Sequence, residues 1–373
     1  MDRIQSNTRL GRLLAWLVGV GGSDLHGQAG KPFRFRANGI LDRVPESEAI
    51  PPTEVELDAM IGEAFAPATA ARIRQARELD LSVDFDQVRF RVNCSKQQGR
   101  QSFSFRVVPR QTYRLADLQL PSSLSELISI PRGLILITGP TGQGKSTTAR
   151  ALIEEINVRQ KARIITIEDP IEFLFEDKLA QFEQREVGVD TDSFARGIRN
   201  AMRQDPNVLF VGEIRDAESI FCAMQAAETG HLVLTTLHAD TVAQAIGRIR
   251  EYYPAEQRDG ISGLLGRNLA AILCQRLLPN CQGGRTPCLE LLKRDAGVQS
   301  AIVANDLSLL TGIMESSTHL GMHTFDQYLL ELCAEEIVSQ DTARRYAMNP
   351  HRLEMLLGGI AAARGILRPD PNR

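Results

Sequence analysis

At 373 residues, with 43% hydrophobic and 24% charged residues, the chain can bury the cores of two domains and is not a disordered polymer. A formal charge of −3 excludes a global basic field for gripping a nucleic-acid backbone. Six cysteines, none in a C-x-x-C, are too few for a disulfide scaffold and point to reduced thiols in a cytosolic protein, not to a zinc knuckle.

Leu10, Leu13, Leu14 and Leu17 recur at helical spacing and predict an amphipathic helix over 10–18. The apolar run 13–20 behind Arg3, Arg9 and Arg12 has a faint signal-peptide look. It is far short of the roughly 18 residues of a membrane span, and the helix reading is preferred. Gly21-Gly22 and an alternating segment at Phe33-Arg34-Phe35-Arg36 follow, then a helical stretch over 52–79. Runs 81–85, 88–92 and 103–108 alternate apolar and polar residues, as half-buried antiparallel strands do. Pro109 and the polar residues to Thr112 read as a linker.

After Pro131 the pattern changes. Continuous apolar runs at 134–137, 164–167, 208–211 and 232–234 are separated by helical segments, the first with Ala149, Leu152, Ile153 and Ile156 on one face. This is the signature of a covered parallel sheet, hence an α/β fold. From about Pro254 the chain reads as mostly helical, including 325–334 and 342–348, and residues 368–373 read as a disordered tail.

The strongest chemical signal is Gly139-Pro140-Thr141-Gly142-Gln143-Gly144-Lys145-Ser146, followed by Thr147, between an apolar strand and an amphipathic helix. It fits G-x-x-x-x-G-K-[ST], in which glycines let backbone N–H groups turn toward phosphate and the helix N-terminus adds its positive end. Lys145 then reaches the β- and γ-phosphates of ATP, and the Ser146 hydroxyl ligates Mg²⁺. Hydrolysis also needs a carboxylate near the γ-phosphate. The next strands end in Ile167-Glu168-Asp169-Pro170 and Val211-Gly212-Glu213, and the carboxyl ends of parallel strands form the ligand crevice. Glu168 and Glu213 are the candidates, with Gly212 where an Asp is usual. Asp169 is equally readable as a helix cap. His231 and His238 flank the last apolar run and read as γ-phosphate sensors or as core histidines.

These motifs resemble the type IV pilus retraction ATPases, the PilT/PilU family of the secretion-ATPase superfamily. The likeness rests on Ser23-Asp24-Leu25-His26 with Gly30, Arg89-Phe90-Arg91-Val92-Asn93, the phosphate loop, Ile167 to Phe173, Arg199 to Asp216, Ala227 to His238, and Gly321-Met322-His323-Thr324-Phe325-Asp326-Gln327. The resemblance implies a PAS-like α+β domain over 1–110, a linker over 111–118, a RecA-like ATPase core over 119–255, a mostly helical C-terminal region over 256–365 and a disordered tail over 366–373. It implies Glu213 as general base, Glu168 as a holder of Mg²⁺ and its water, His238 as γ-phosphate sensor, and Arg203 and Arg215 as phosphate or sheet-edge contacts. Arg89, Arg91 and Arg106 are the candidates for a neighbouring subunit's contribution. The implied assembly is a homo-hexamer at the cytoplasmic side of the inner membrane, acting on a pilus platform protein and partnered by a paralogous retraction ATPase, without nucleic acid.

Two departures bear on the branch. The segment near Gly297 to Val303 does not reproduce the family's AIRNLIRE helix, and 185–194 looks closer to PilU. An accessory PilU-like subunit of low turnover, and a related type II/IV secretion or conjugation ATPase, are therefore the alternative readings. Cys274, Cys281 and Cys288 lack the spacing of the extension enzymes' zinc subdomain. His323 stands where the family has Gln, which reads as a surface substitution.

Overall fold

The computed structural model describes residues 8–37, 40–86, 88–108 and 113–363. The chain divides into two units, Met1–Gln111 with Pro170–Phe175, and Thr112–Asp169 with Glu176–Arg373.

In the first unit the order is α1 (Arg9–Gly19), β1 (Asp24–Gln28), β2 (Lys31–Ala37), β3 (Ile40–Arg43), α2 (Glu54–Ala64), α3 (Pro67–Gln75), β4 (Glu78–Phe85), β5 (Val88–Gln97) and β6 (Arg100–Val108). The strands form an antiparallel sheet in the order β3-β2-β1-β6-β5-β4. The Thr8 hydroxyl accepts the Gly11 N–H and starts α1, whose four spaced leucines are all buried. They share one core with Leu25, Phe33, Phe90 and Phe105.

The single helical stretch expected over 52–79 is two helices and the start of a strand. Phe65 leaves α2 for extended backbone, and Pro67, lacking an N–H and fixed in φ, opens α3. The Ser-Asp-Leu-His segment has a structural use here. Buried Asp24 accepts from Ser23 Oγ and from Arg106 Nε, each at 2.7 Å, and His26 Nδ1 lies 2.9 Å from Ser104 Oγ. Burial raises the Asp24 pKa, but the Arg106 and Ser23 bonds prevail and hold it low. These contacts tie β1 to β6 across most of the unit's sequence.

The second unit runs β7 (Gly133–Thr138), α4 (Lys145–Arg159), β8 (Arg163–Glu168), β9 (Gln181–Glu186), α5 (Phe194–Ala201), β10 (Val208–Glu213), α6 (Ala217–Glu228), β11 (Leu232–Leu237) and α7 (Val242–Glu251). It continues through α8 (Arg258–Asn268), β12 (Leu269–Pro279), β13 (Arg285–Lys293), α9 (Ala296–Ala304), α10 (Leu309–Ser316), α11 (Phe325–Ala334), α12 (Gln340–Tyr346) and α13 (Pro350–Ala363). The sheet order is β13-β12-β7-β11-β10-β8-β9, parallel except for the β12–β13 pair. Leu209, Val211 and Val233 on one face pack with Ile198, Ile220, Ile246 and Leu265 of α5 to α8. Helix α4 covers β7 and β11 from the other face.

Two expectations change. The helices past residue 255 are present, but β12 and β13 lie among them, so the core sheet does not close at 255. In β12 the residues Leu269-Ala270-Ala271-Ile272-Leu273 are helix formers with no alternation, and pairing with β7 and β13 overrides their propensity. Residues 115–119 form a turn, and the tether expected over 111–118 is bonded to α4 through Arg114. The remaining linker residues 109–112, and the tail expected over 366–373, lie outside the described residues.

Candidate active site

The phosphate loop leaves β7 at Thr138 and enters α4 at Lys145. Its shape is set by β12. Cys274 pairs with Thr138, so Gln275 lies beside the loop. Gly139 has φ +142°, and a Cβ there would sit 2.2 Å from the Gln275 carbonyl oxygen, a distance only glycine permits. The Gln275 side chain is a clamp: its Nε2 donates to the Gln143 carbonyl at 2.8 Å, and its Oε1 accepts from Thr148 Oγ1 at 2.6 Å. Gln143 returns the contact, its Oε1 accepting the Leu277 N–H at 2.6 Å. Thr141 and Gly142 form the exposed tip, Pro140 is half-buried, and Gly144 turns at φ +81° into α4. Ser146 and Thr147 occupy its half-buried first turn, where backbone N–H groups and the helix dipole favour an anion.

Glu168 and Glu213 end β8 and β10 at the same carboxyl edge. Glu168 is buried, and its Oε1 accepts from Thr166 Oγ1 at 2.7 Å and from Gln184 Nε2 at 3.3 Å. Glu213 is aimed by a bulge. Val211 pairs with Thr235, yet Glu213 pairs with Thr236, leaving Gly212 as the extra residue. Side chains alternate across a strand. The bulge therefore turns Glu213 away from the Val211 face and onto the α4 face. Thr236 Oγ1 donates to the Gly212 carbonyl at 2.7 Å and holds the bulge. A Cβ at 212 would meet Glu168 Cα at 3.5 Å, so the usual Asp would set a second carboxylate against Glu168. Glycine avoids that repulsion.

His238, just past β11, links the end of β10 to the start of α4. Its Nε2 donates to Glu213 Oε1 at 2.8 Å, and its Nδ1 faces Lys145 Nζ at 3.4 Å. Burial and the Lys145 charge lower the His238 pKa against the pull of Glu213. With Nε2 placed to donate to Glu213, the geometry suits the tautomer that turns the Nδ1 lone pair toward the Lys145 ammonium. Arg215 donates to Glu213 Oε2 at 2.7 Å. Burial pushes the Glu213 pKa up, but the Arg215 bond, followed by the pull of His238 and the Arg215 and Lys145 charges, outweighs it and holds the carboxyl below its usual value. Lys145 is itself buried, which lowers its pKa, and its Nζ donates to the carbonyls of Gly139 and Pro140, each at 2.8 Å.

The structure thus brings together the loop 139–147, Glu168, Glu213, Arg215 and His238. It does not bring Arg203, an exposed residue after α5 on the way into the amino end of β10. Six strand residues, about 16 Å, separate that end from Glu213. His231 lies half-buried at the amino end of β11, bonded to the Ala226 carbonyl at 2.9 Å, away from the phosphate loop. Asp169 caps no helix, because the chain after it is irregular up to β9. Of the candidate arginines in the first unit, Arg89 is buried beside Asp84, Arg91 is half-buried near Asp80, and Arg106 holds Asp24.

Sequence reasoning missed the residues that hold the His238 segment. Cys274 Sγ and Arg276 donate to the Asp240 carbonyl at 3.1 and 3.3 Å, and buried Glu290 accepts the Val242 N–H at 2.8 Å. The Phe325 ring lies 4.8 Å beneath the Arg276 guanidinium, which gives the C-terminal motif a place in this support. Within that motif Thr324 and Gln327 form a capping box for α11, and Asp326 accepts the Met348 and Asn349 N–H groups ahead of α13. His323 is no surface substitution. Its ring stacks on Tyr328 at 4.9 Å, and burial pushes its pKa down to about 4.

Ser146 and Glu168 offer hard oxygen donors of the kind Mg²⁺ takes, the carboxylate already fixed by two hydrogen bonds. No helix among the described residues is long and apolar enough to cross a membrane.

Residues 21–322 match the family described as type II/IV secretion system protein. The chain is 35% identical to the type IV pilus retraction ATPase PilT of Pseudomonas aeruginosa, over 91% of this chain and 98% of that protein. It is 34% identical to the type IV pilus ATPase PilU of the same organism, over 93% and 90%. The crystal structure of the pilus retraction motor PilT with bound ADP superimposes with a TM-score of 0.84 at 35% identity, covering 92% of this chain and 98% of that one.

Proposed function

Because the chain belongs to the type II/IV secretion system protein family, we propose that it is a motor that hydrolyses ATP to retract type IV pili and so drives twitching motility. It is an ATPase with a RecA-like core and a separate α+β unit. The observation that carries the reading is the convergence of Lys145, His238 and Glu213 at one edge of the sheet, with Glu213 2.8 Å from His238.

In this reading the loop N–H groups and Lys145 bind the β- and γ-phosphates. Glu213 accepts the proton of the attacking water while His238 and Arg215 hold its two oxygens. Ser146 and Glu168 would hold Mg²⁺, which when bound neutralises charge on the phosphate oxygens. A neutral His238 can donate to Glu213 without adding a cation beside Lys145. The subunits would form a hexamer peripheral to the cytoplasmic face of the inner membrane, completed by a neighbour's arginine and acting on a platform protein of the pilus. A paralogous retraction ATPase would work beside it.

Lys145→Ala should abolish turnover. Glu213→Gln should keep nucleotide binding and lose on the order of 10²–10⁴ in kcat, the range for removing a general base. Normal hydrolysis by Glu213→Gln would overturn the assignment. The accessory reading is favoured by the near-equal likeness to PilU and by the absent AIRNLIRE motif at 297–303, which falls in α9. A strain lacking the gene separates the two: excess pili with lost motility marks a primary retraction motor, and normal pilus numbers with weakened motility mark an accessory one.

A further inference from the structure

Helix α4 carries the phosphate loop at its first residue and two adjacent buried carboxylates, Glu154 and Glu155, in its second half. Ten residues of helix set these about 15 Å from the loop. Glu155 takes a bidentate pair from Arg114, at 2.7 and 2.9 Å, and a second pair from Arg159 at 2.9 Å. The Arg114 bond holds the Glu155 pKa below its usual range. Glu154 pairs with Lys178 and accepts from Asn157 Nδ2 at 3.1 Å. Fully buried Asn157 ties down the same stretch: its Nδ2 also donates to the Glu176 carbonyl at 2.8 Å, its Oδ1 accepts the Lys178 N–H at 3.1 Å, and its carbonyl accepts the Leu179 N–H at 2.9 Å.

The partners have one thing in common. Arg114 lies just after the chain first leaves the unit Met1–Gln111, and Glu176 to Lys178 lie just after it leaves that unit's second segment, Pro170–Phe175. That second segment itself begins two residues past Glu168. Both returns into the ATPase core are thus fastened to the same two turns of the helix whose other end binds phosphate. Nothing in nucleotide binding needs this. Only the carboxylates are buried, and Arg114, Lys178 and Arg159 stay about half exposed, yet a buried carboxylate is still a costly way to hold a helix that an apolar pair would hold as well. What the bonds supply is a stiff, directional attachment of two chain segments to one rigid rod.

Resting on the motor reading above, we infer that Glu154 and Glu155 are force anchors: positioning residues through which a shift of α4 at the phosphates pulls on both connections to the α+β unit. The test is a double-labelled full chain. One dye sits on exposed Cys281 and the other on Glu63→Cys in α2, with Cys333→Ser to remove the half-buried thiol. Transfer efficiency is read with and without MgATP, beside kcat, KM and melting temperature. The otherwise unaltered chain should show an ATP-dependent change in transfer. Arg114→Ala with Lys178→Ala should keep kcat and KM near those of that chain and lose the change. Arg114→Lys with Lys178→Arg, which keeps both charges, in place of those alanines should retain much of it, which loss of side-chain packing alone would not require.

A full transfer change in the double-alanine protein overturns the inference. So does a fall of kcat in step with the transfer change, because the bonds then serve the site itself. If the double-alanine protein melts early, Glu155→Gln, which keeps the shape and drops the charge, takes its place with the same two criteria. A chain with intact anchors and normal hydrolysis but no ATP-dependent change would instead bring down the motor reading.

Discussion

Glu213 can serve as a base only while ionised, and three neighbours, Arg215, His238 and Lys145, favour that form although burial opposes them. The acid limb of kcat/KM reports the pKa of such a group in the free enzyme. Arg215 contributes the hydrogen bond and part of the charge that lower it, so Arg215→Ala should move the acid limb to higher pH. A pH profile of ATP hydrolysis checks this, and an unmoved limb would mean that the titrating group is not Glu213. The sequence alone placed Glu213 and Glu168 on the right edge, because a strand of uninterrupted apolar residues ending in a carboxylate admits few orientations. It could not show that a bulge at Gly212 turns Glu213 to the α4 face, since a bulge depends on register with β11. Nor could it separate His231 from His238, which are alike in type and differ only in which end of β11 they occupy.

At the scale of elements, β12 is the strand on which the phosphate loop is moulded. Gln275 satisfies a loop carbonyl and a helix hydroxyl at once, the first half-buried and the second buried. Gln275→Ala leaves those partners without it and should cost about 1–3 kcal/mol of stability. It should also weaken nucleotide binding while sparing the chemical step. Thermal melting and titration with a fluorescent ATP analogue measure both, and unchanged nucleotide affinity would show that the loop keeps its shape without the clamp. The four strands of continuous apolar sequence were legible because β-rich runs bounded by glycine or carboxylate have little else to form. Strands β12 and β9 were not. The first is built of leucine and alanine, which favour helix, and the second, Gln181–Glu186, is an edge strand whose polar residues carry no alternation.

At the scale of the molecule, the described residues of one chain put Arg215 on Glu213 and Arg248 in the cavity beside Pro140 and His238, and the proposed ring would add an arginine from a neighbouring subunit. An arginine supplied in trans can be worth about 10³–10⁵ in kcat. Hydrolysis per subunit should therefore rise steeply with protein concentration, in step with ring formation followed by sedimentation. A specific activity that stays constant down to the monomer would remove the need for a neighbour's residue. Division into an α+β unit and an α/β unit was readable from the switch between alternating and continuous apolar runs near residue 131. The return of Pro170–Phe175 to the first unit was not, because a short segment carries no pattern that names its partner.

The seating of β7 has a consequence for how the protein is made. Its neighbours are β11 and β12, with Leu134 paired to Val233 on one side and to Leu269 on the other. During synthesis the first unit closes its sheet once β6 has emerged, whereas the strand bearing the phosphate loop stays unpaired until the chain has grown well past the middle. A nascent chain stalled before Leu269 leaves the tunnel should pass over immobilised ATP unretained. One stalled late enough to free β12 should bind. Retention of the shorter chain would show that the loop forms without its mould. Otherwise ATP binding is among the last properties the growing chain acquires, and unfinished chains on the ribosome consume no fuel.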